Sequence, residues 1–377
     1  MDQKVLVAVF YNEMFKSQNS RDTDLQTMPL NFKPRFDIEE TDTEEELSHI
    51  VNALKGQGFD TFRNNIQGRF ENLVDVLRER RPDVVFNLVE SFPDSPLQEM
   101  MAAGICEMFG IPYTGSTPLT LGICQRKGLT KQILLGNGIL TPRFKLITDQ
   151  KSLFQRKLHY PLIVKPGRED GSNGIENDSV VFDLKKLKER VENVLDEFHP
   201  PVIVEEFIEG RELNVSILGS EELLVLPISE IDFSETPDSF NHILTYHAKW
   251  EPRSEVYHKT IPVCPAHLTK TVEKHVKDVA LKAYKIMGCR DYARIDIRLD
   301  RGNNPFVLEV NPNPYLSEGV GFIRSAEAHG VSFSQTLRMI VEFALRRSKN
   351  KTPLQKVIMK NRTCLKANRH KSDRWPQ

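Results

Sequence analysis

The sequence predicts an α/β domain at its N-terminal end, a parallel sheet with helices on both faces, followed by an α+β region. Up to about Gly115, short apolar runs alternate with amphipathic helical patterns, as in strands joined by helices that cover the sheet. From about Pro118 the character changes, with strand pairs and isolated helices replacing the regular alternation. Near the end, apolar and charged residues alternate strictly from Ala293 to Leu299, the mark of a half-buried hairpin strand.

Lys4 to Phe10 is nearly all apolar and reads as a buried parallel strand. Glu13 to about Asp42 lacks helical or strand periodicity and reads as a long loop or insertion. Thr43 is placed as an N-cap, with Glu46 completing a capping box. Leu47, Ile50, Val51 and Leu54 then give one apolar helical face, and Gly56 ends the helix. A second strand fits Phe59 to Phe62, and a helix from Phe70 to about Arg80 turns Leu73, Val76 and Leu77 inward. Pro82 precedes a third strand, Val84 to Val89, then an irregular loop from Glu90 to Pro96 and a helix from Leu97 to Phe109. Ligands of such sheets sit beyond the carboxyl ends of the strands, so residues near Tyr11 and Glu90 are candidates for touching a substrate.

Further on, helices are expected at Gln125 to Leu135, Leu184 to Phe198, Thr269 to Met287 and Ser332 to Arg347. Strands are expected at Leu162 to Lys165, at Val202 to Glu205, and between Glu212 and Ile231. The residues from Ser348 onward are basic and lack an apolar face, which predicts a poorly ordered tail.

The 377 residues suffice for two or three domains at roughly 100–200 residues each. A formal net charge of -1 gives no global field toward nucleic acid or membrane. The run Val5 to Phe10 is too short for a secretory core, and no segment approaches a membrane span. The five cysteines are odd in number and widely spaced, fit no zinc or disulfide framework, and point to a reduced cytoplasm.

The charged hairpin carries the most chemistry. If its register is symmetric about Gly302 and Asn303, Asp296 faces Glu309 and Arg294 faces Asn311. Two carboxylates about 5 Å apart repel by on the order of 3 kcal/mol at an effective dielectric near 20, and like charges opposite each other weaken a sheet. A divalent cation held by Asp296, Glu309 and the amide oxygen of Asn311 would offset this, and hard oxygen ligands suit Mg²⁺. The other reading is a solvated hairpin whose arginines pair the acids. Asn311-Pro312-Asn313-Pro314 favours a built site, because two prolines fix the backbone immediately after the acids.

Two further clusters accompany it. Lys165 ends a strand and enters a loop with three glycines and Ser172, where backbone N–H groups and a lysine can meet a phosphate. The order of a Walker A loop is absent. Val204 to Glu212 is a strand running into consecutive acids, either a solvated turn or a set of groups for an adenine and a ribose. Lys127, and Lys249 beside Trp250, carry little meaning alone.

Together, the Lys165 loop, the Glu205 to Glu212 turn, Arg294-x-Asp296 and Glu309-x-Asn311 resemble the ATP-grasp superfamily, nearest to D-alanine–D-alanine ligase and its relatives. Gly110 to Ser116 looks like that family's link into its ATP-binding part, and the resemblance runs from about Val84 to Arg347. It implies a pre-ATP-grasp α/β domain over 1–118 and a two-lobed α+β ATP-grasp module, with a central lobe over 119–210 and a C-terminal lobe carrying the magnesium site over 211–347. The tail is 348–377.

The resemblance also implies roles. Asp296, Glu309 and Asn311 match the metal ligands, for one or two Mg²⁺ ions with Mn²⁺ able to substitute. Arg294 matches the arginine at the transferred phosphoryl and tetrahedral centre. Lys127 and Lys165 match lysines on the ATP phosphates, Lys249 one on a mobile loop, and Ser172 falls in the flexible phosphate loop. Glu205 would receive the adenine amino group, with the backbone of Glu206 and Ile208 alongside, and Glu212 would hold the ribose hydroxyls. The implied activity is ligation of a small-molecule carboxylate to an amine, amino-acid or dipeptide-like, through an acyl phosphate. The implied setting is the cytoplasm, away from nucleic acid and membrane, and a homodimer is open.

The substrate half departs from the family. The family's Gly-Gly-x-Ser-x-Glu is here Phe10-Tyr11-Asn12-Glu13, and its His-Gly-x-x-Gly-Glu-Asp-Gly loop is Leu88 to Ser95. Trp250 replaces the loop tyrosine, and Ser317 stands off the position of the serine that binds the second substrate's carboxylate. Glu13, Glu90, Trp250 and Ser317 are therefore the substrate candidates. A true D-alanine–D-alanine ligase, a non-ligating ATP-grasp phosphotransferase and an inactive nucleotide-binding module are the competing readings.

Overall fold

The computed structural model describes residues 4–12, 30–38, 43–90, 98–149, 158–198 and 200–349. Glu13, most of the expected long loop, and the tail beyond 349 lie outside the described residues.

The N-terminal region alternates β1 (Leu6–Tyr11), α1 (Thr43–Gly56), β2 (Asp60–Asn65), α2 (Phe70–Glu79), β3 (Val84–Leu88) and α3 (Glu99–Phe109). The strands form a parallel sheet in the order β2-β1-β3. Both faces of β1 are covered, which is why it is apolar throughout. Val7 and Val9 join Val84 and Phe86 in a core shared with α1, whereas Ala8 and Phe10 pack with Leu73, Leu77 and Ala103 of α2 and α3. The capping-box expectation is corrected. Thr43 is the first helical residue rather than the cap, and the Glu46 side chain accepts a hydrogen bond from Tyr315 instead.

An unexpected helix, α4 (Pro118–Cys124), capped by Gln125, precedes α5 (Lys127–Gly136), which is the helix expected over Gln125 to Leu135. Thr117 caps α4 through its hydroxyl, and Pro118 stands in the first turn, where its missing N–H costs nothing. Next come β4 (Phe144–Ile147), β5 (Leu162–Pro166), β6 (Val180–Val181), α6 (Leu184–Glu197) and β7 (Val202–Glu206), an antiparallel sheet in the order β4-β7-β5-β6. Val164, Val202 and Val204 bury one of its faces against Leu187, Val191 and Val194 of α6.

The remainder is built on β8 (Gly210–Gly219), β9 (Leu223–Val225), β10 (Ser229–Asp232), α7 (Tyr246–Trp250), α8 (Glu255–Lys259), β11 (Ile261–Val263), α9 (Lys270–Ile286), β12 (Asp291–Asp300), β13 (Pro305–Asn311), α10 (Gly321–Ala328) and α11 (Phe333–Lys349). Its sheet runs β11-β10-β8-β12-β13, with β9 also on β8. Leu213, Val215, Ile295, Ile297 and Val310 face α9, and Cys124 and Leu134 of α4 and α5 join that core. The opposite face carries Glu212, Asn214, Arg294 and Asp296 and, toward one end, Leu218 and Tyr292, which join the core of the N-terminal sheet. Among the described residues no helix is long and apolar enough to cross a membrane.

Candidate active site

The β12–β13 register pairs Asp296 with Glu309 and Arg294 with Asn311, the pairs expected from the sequence, but by another route. Toward the turn the pairing is Ile297 with Val307 and Leu299 with Pro305, one residue off the expected symmetry. A bulge between Asp296 and Ile297 restores it, so two residues of β13 oppose one of β12. On the other side, β8 sets Asn214 opposite Asp296 and Glu212 opposite Arg298.

The chain's own cations reach both acids. Arg294 grips Asp296 bidentately, Nε to Oδ1 at 2.7 Å and Nη2 to Oδ2 at 2.8 Å. Lys127 Nζ donates to Glu309 Oε2 at 3.0 Å and to Asp170 Oδ1 at 3.2 Å. Enclosed carboxylates need compensating charge, and here the chain's own cations supply it. Burial works against the Glu309 charge, yet Lys127 and Arg294 hold its carboxyl far below the usual range. Asn214 Nδ2 donates to Asp296 Oδ1 at 2.8 Å and Asn311 Nδ2 to Asp296 Oδ2 at 2.9 Å. No group of three or more His, Cys, Asp or Glu is set to hold a metal among the described residues. On β12 and β13 this face offers the two carboxylates and the Asn311 amide as oxygen donors. Two hard anionic ligands and one amide suit a magnesium ion that keeps positions for phosphate oxygens.

Lys127 starts α5 and is 7% exposed; Asp170, its second partner, reaches it from the glycine-rich loop after β5. That loop is tied to the segment carrying α7. Ser172, with φ at +66°, donates its hydroxyl to the Leu244 carbonyl at 2.8 Å, and Trp250 Nε1 donates to the Gly171 carbonyl at 2.7 Å. The Ser172 hydroxyl is thus turned to the segment carrying α7. Lys249 lies over the Trp250 ring at 4.9 Å, and burial together with Arg294 lowers its pKa, while Asp296, Glu309 and Glu90 oppose the shift.

On the central sheet, Lys165 Nζ lies 3.6 Å from Glu205 Oε2 and Lys131 Nζ lies 3.4 Å from Oε1. The Glu206 side chain is engaged by His159, and the Ile208 carbonyl accepts from Arg298 Nε at 3.0 Å. Arg298 also pairs with Glu212 at 3.1 Å.

The substrate candidates separate. Glu90 follows β3 at an exposed position, within the fields of Lys249, Asp170 and Glu46. The Trp250 ring meets Tyr315 edge-on at 6.3 Å, and Tyr315 is bonded to Glu46 of α1. Ser317 is buried beside Tyr315. Sequence reasoning missed Lys131, Asp170, Asn214 and Glu46. Lys131 had a usable signal, since it lies four residues after Lys127 and so shares its helix face. The others are joined only by tertiary contact.

The family described as "D-ala D-ala ligase C-terminus" matches residues 137–342. The uncharacterized protein y4sG of Sinorhizobium fredii is 33% identical over 268 residues, covering 71% of this chain and 76% of that protein. The D-alanine–D-alanine ligase of Carboxydothermus hydrogenoformans is 31% identical over 307 residues, covering 78% of this chain and 91% of that one. In structure, the D-alanine–D-alanine ligase of Bacillus anthracis complexed with ATP superposes with a TM-score of 0.68 at 23% identity, over 93% of this chain and 100% of that one. At that identity the superposition speaks for the fold alone.

Proposed function

The chain belongs to the D-alanine–D-alanine ligase family of ATP-grasp enzymes, ATP-dependent ligases that form carbon–nitrogen bonds, and we propose that it activates a substrate carboxylate as an acyl phosphate and passes it to an amine. The observation that carries this reading is the convergence of Asp296, Glu309 and Asn311 with Arg294, Lys127, Lys165 and Lys249 between the two antiparallel sheets.

Asp296, Glu309 and Asn311 would hold magnesium, which when bound neutralises phosphate oxygens and draws charge from the transferred phosphoryl group. Lys127 and Lys165 take the phosphates, exchanging their present carboxylate partners for them. Glu205 receives the adenine amino group beside the backbone of Glu206 and Ile208, and Glu212 holds the ribose. The substrate carboxylate attacks the γ-phosphorus in line, and ADP leaves. The amine then attacks the acyl carbon while Arg294 stabilises the oxyanion, and phosphate departs. Lys249, Trp250 and Ser172 close over the site, because water would otherwise hydrolyse the acyl phosphate. Glu90 faces the substrate end. The lobes divide at about 118 and 210, with nucleotide held between them.

Amino acids and dipeptides are the substrate class, the altered substrate segments favouring a pair other than two D-alanines. The relatives named D-alanine–D-alanine ligase make D-alanine the reading to test against it. Scoring ADP release across a panel of amino acids and dipeptides that includes D-alanine decides between them. ADP formation that requires both an acid and an amine, without a D-alanine dipeptide, is the expected outcome. With the responsive pair, Asp296→Asn and Glu309→Gln should each lower turnover by about a hundredfold or more. Turnover within a few-fold of the parent would end the metal assignment.

A further inference from the structure

Lys131 is 1% exposed on α5, its Nζ donating to Thr141 Oγ1 at 2.9 Å and standing 3.4 Å from Glu205 Oε1. Glu205 is itself 1% exposed, and Lys165 approaches its other oxygen at 3.6 Å. Both lysines lie within ion-pair reach, yet neither Glu205 oxygen has a hydrogen-bond partner among the described residues. Buried carboxylates ordinarily spend their acceptor capacity. This one has its charge balanced from the side while its acceptors stay unspent, the arrangement of a group awaiting an outside donor.

The sheet register says where that donor comes from. Ile163 of β5 pairs with Glu205 and Lys165 with Ile203, so Lys165 and Glu205 share a sheet face. The opposite face is the one packed against α6, so Glu205 looks toward the cleft.

We propose that Lys131 is the positioning residue for base recognition, holding Glu205 ionised and aimed so that the site selects a 6-amino purine triphosphate over a 6-oxo one. This rests on Glu205 being the group that meets the base. An ionised carboxylate accepts from an exocyclic amino group and opposes a carbonyl oxygen. A protonated carboxyl, by contrast, offers a donor that a carbonyl welcomes. Without Lys131, Lys165 and the weaker influence of Lys127 would be left to offset burial, and Glu205 would take up a proton more readily. The electrostatics agree: burial pushes Lys131 down to about 8 against the pull of Glu205, and the two lysines hold Glu205 below its ordinary value despite burial.

The test is equilibrium binding of ATP and of ITP, each with Mg²⁺, to the full chain by titration calorimetry, with thermal melting as the folding check. The parent should bind ATP about a hundredfold tighter than ITP. Lys131→Met should shrink that ratio about tenfold or more. Thr141→Val, which keeps both charges and removes only the hydrogen bond aiming Nζ, should shrink it by less. A role in packing alone would weaken both nucleotides equally and leave the ratio unmoved. Should Glu205→Gln collapse the ratio while a folded Lys131→Met preserves it, the proposal is overturned and Glu205 stays at the base. An unchanged ratio in Glu205→Gln removes both. Should Lys131→Met fail to fold, Thr141→Val decides, an unchanged ratio there overturning the proposal.

Discussion

Glu99 is a buried acid whose side-chain partners are amides, not cations. Gln125 Nε2 donates to it at 3.0 Å and Asn313 Nδ2 at 3.2 Å. Burial, the largest influence, raises its pKa to about 8, against those two hydrogen bonds. In the unfolded chain it titrates near 4.5. The native state therefore holds a proton that the unfolded state has released, so the stabilisation is complete below the unfolded value and is lost as pH climbs through the folded one. The loss runs at up to about 1.4 kcal/mol per pH unit. Glu99→Gln cannot ionise, so urea unfolding at pH 6 and pH 8 should show a smaller fall in stability for the variant than for the parent. Equal falls would mean that Glu99 is ionised in the native state. This residue was hidden in the sequence, where it is one more acid at a helix start. Asp296 and Glu309 were legible because strict alternation assigns them a sheet face. Their neutralisation by Arg294 and Lys127 was not, since Lys127 stands far away in the chain and only the fold brings it near.

Among elements, the stretch 30–38 read as part of a featureless loop because its partners are remote. It docks on α8. The backbone N–H groups of Arg35 and Phe36 both donate to His258 Nδ1 at 3.1 Å, and Phe32 and Phe36 lie 5.2 and 5.9 Å from the His258 ring. His258 Nε2 lies 2.7 Å from the Pro252 carbonyl, and Arg35 pairs with Glu235 at 2.8 Å. A chain held by another element's side chain needs no periodicity of its own, so none was there to read. The docking steadies the segment that carries Lys249. His258→Ala removes the shared acceptor and a buried ring, which should loosen the dock by about 2–4 kcal/mol. Limited proteolysis should then cut within 30–38 about tenfold faster or more while the far-ultraviolet spectrum is kept. Unchanged cleavage would show that other contacts hold the stretch. The hairpin teaches the converse: its acid pairing was read correctly although a bulge, invisible in the alternation, was needed to produce it.

At the scale of the whole molecule, the cores do not follow the order of the chain. Val7, Val9, Leu54 and Phe86 of the N-terminal sheet and α1 share one core with Leu218, Tyr292, Phe322, Leu337 and Val341. Arg347 of α11 reinforces that junction by bonding Asp291 and the Tyr113 carbonyl, and Asp291 accepts from the Gly115 N–H at 2.9 Å. The central sheet has a separate core, from Ile147 and Leu162 to Val204, closed by α6. Its polar ties to the rest include Lys127 with Asp170 and Trp250 with Gly171. Cooperative opening follows shared cores more than chain order. In amide hydrogen exchange, β1 and β12 should therefore open with similar free energies, while β5 and β7 open at a lower one. The proposed MgATP site lies between the two antiparallel sheets and needs both folded, so mass action must raise protection most in the more readily opened sheet. The expected pattern is slowed exchange in β5 and β7 on adding MgATP, with smaller change in β1. Exchange in β1 well ahead of β12 would break the shared-core argument, and equal slowing everywhere would mean that the central sheet does not open on its own.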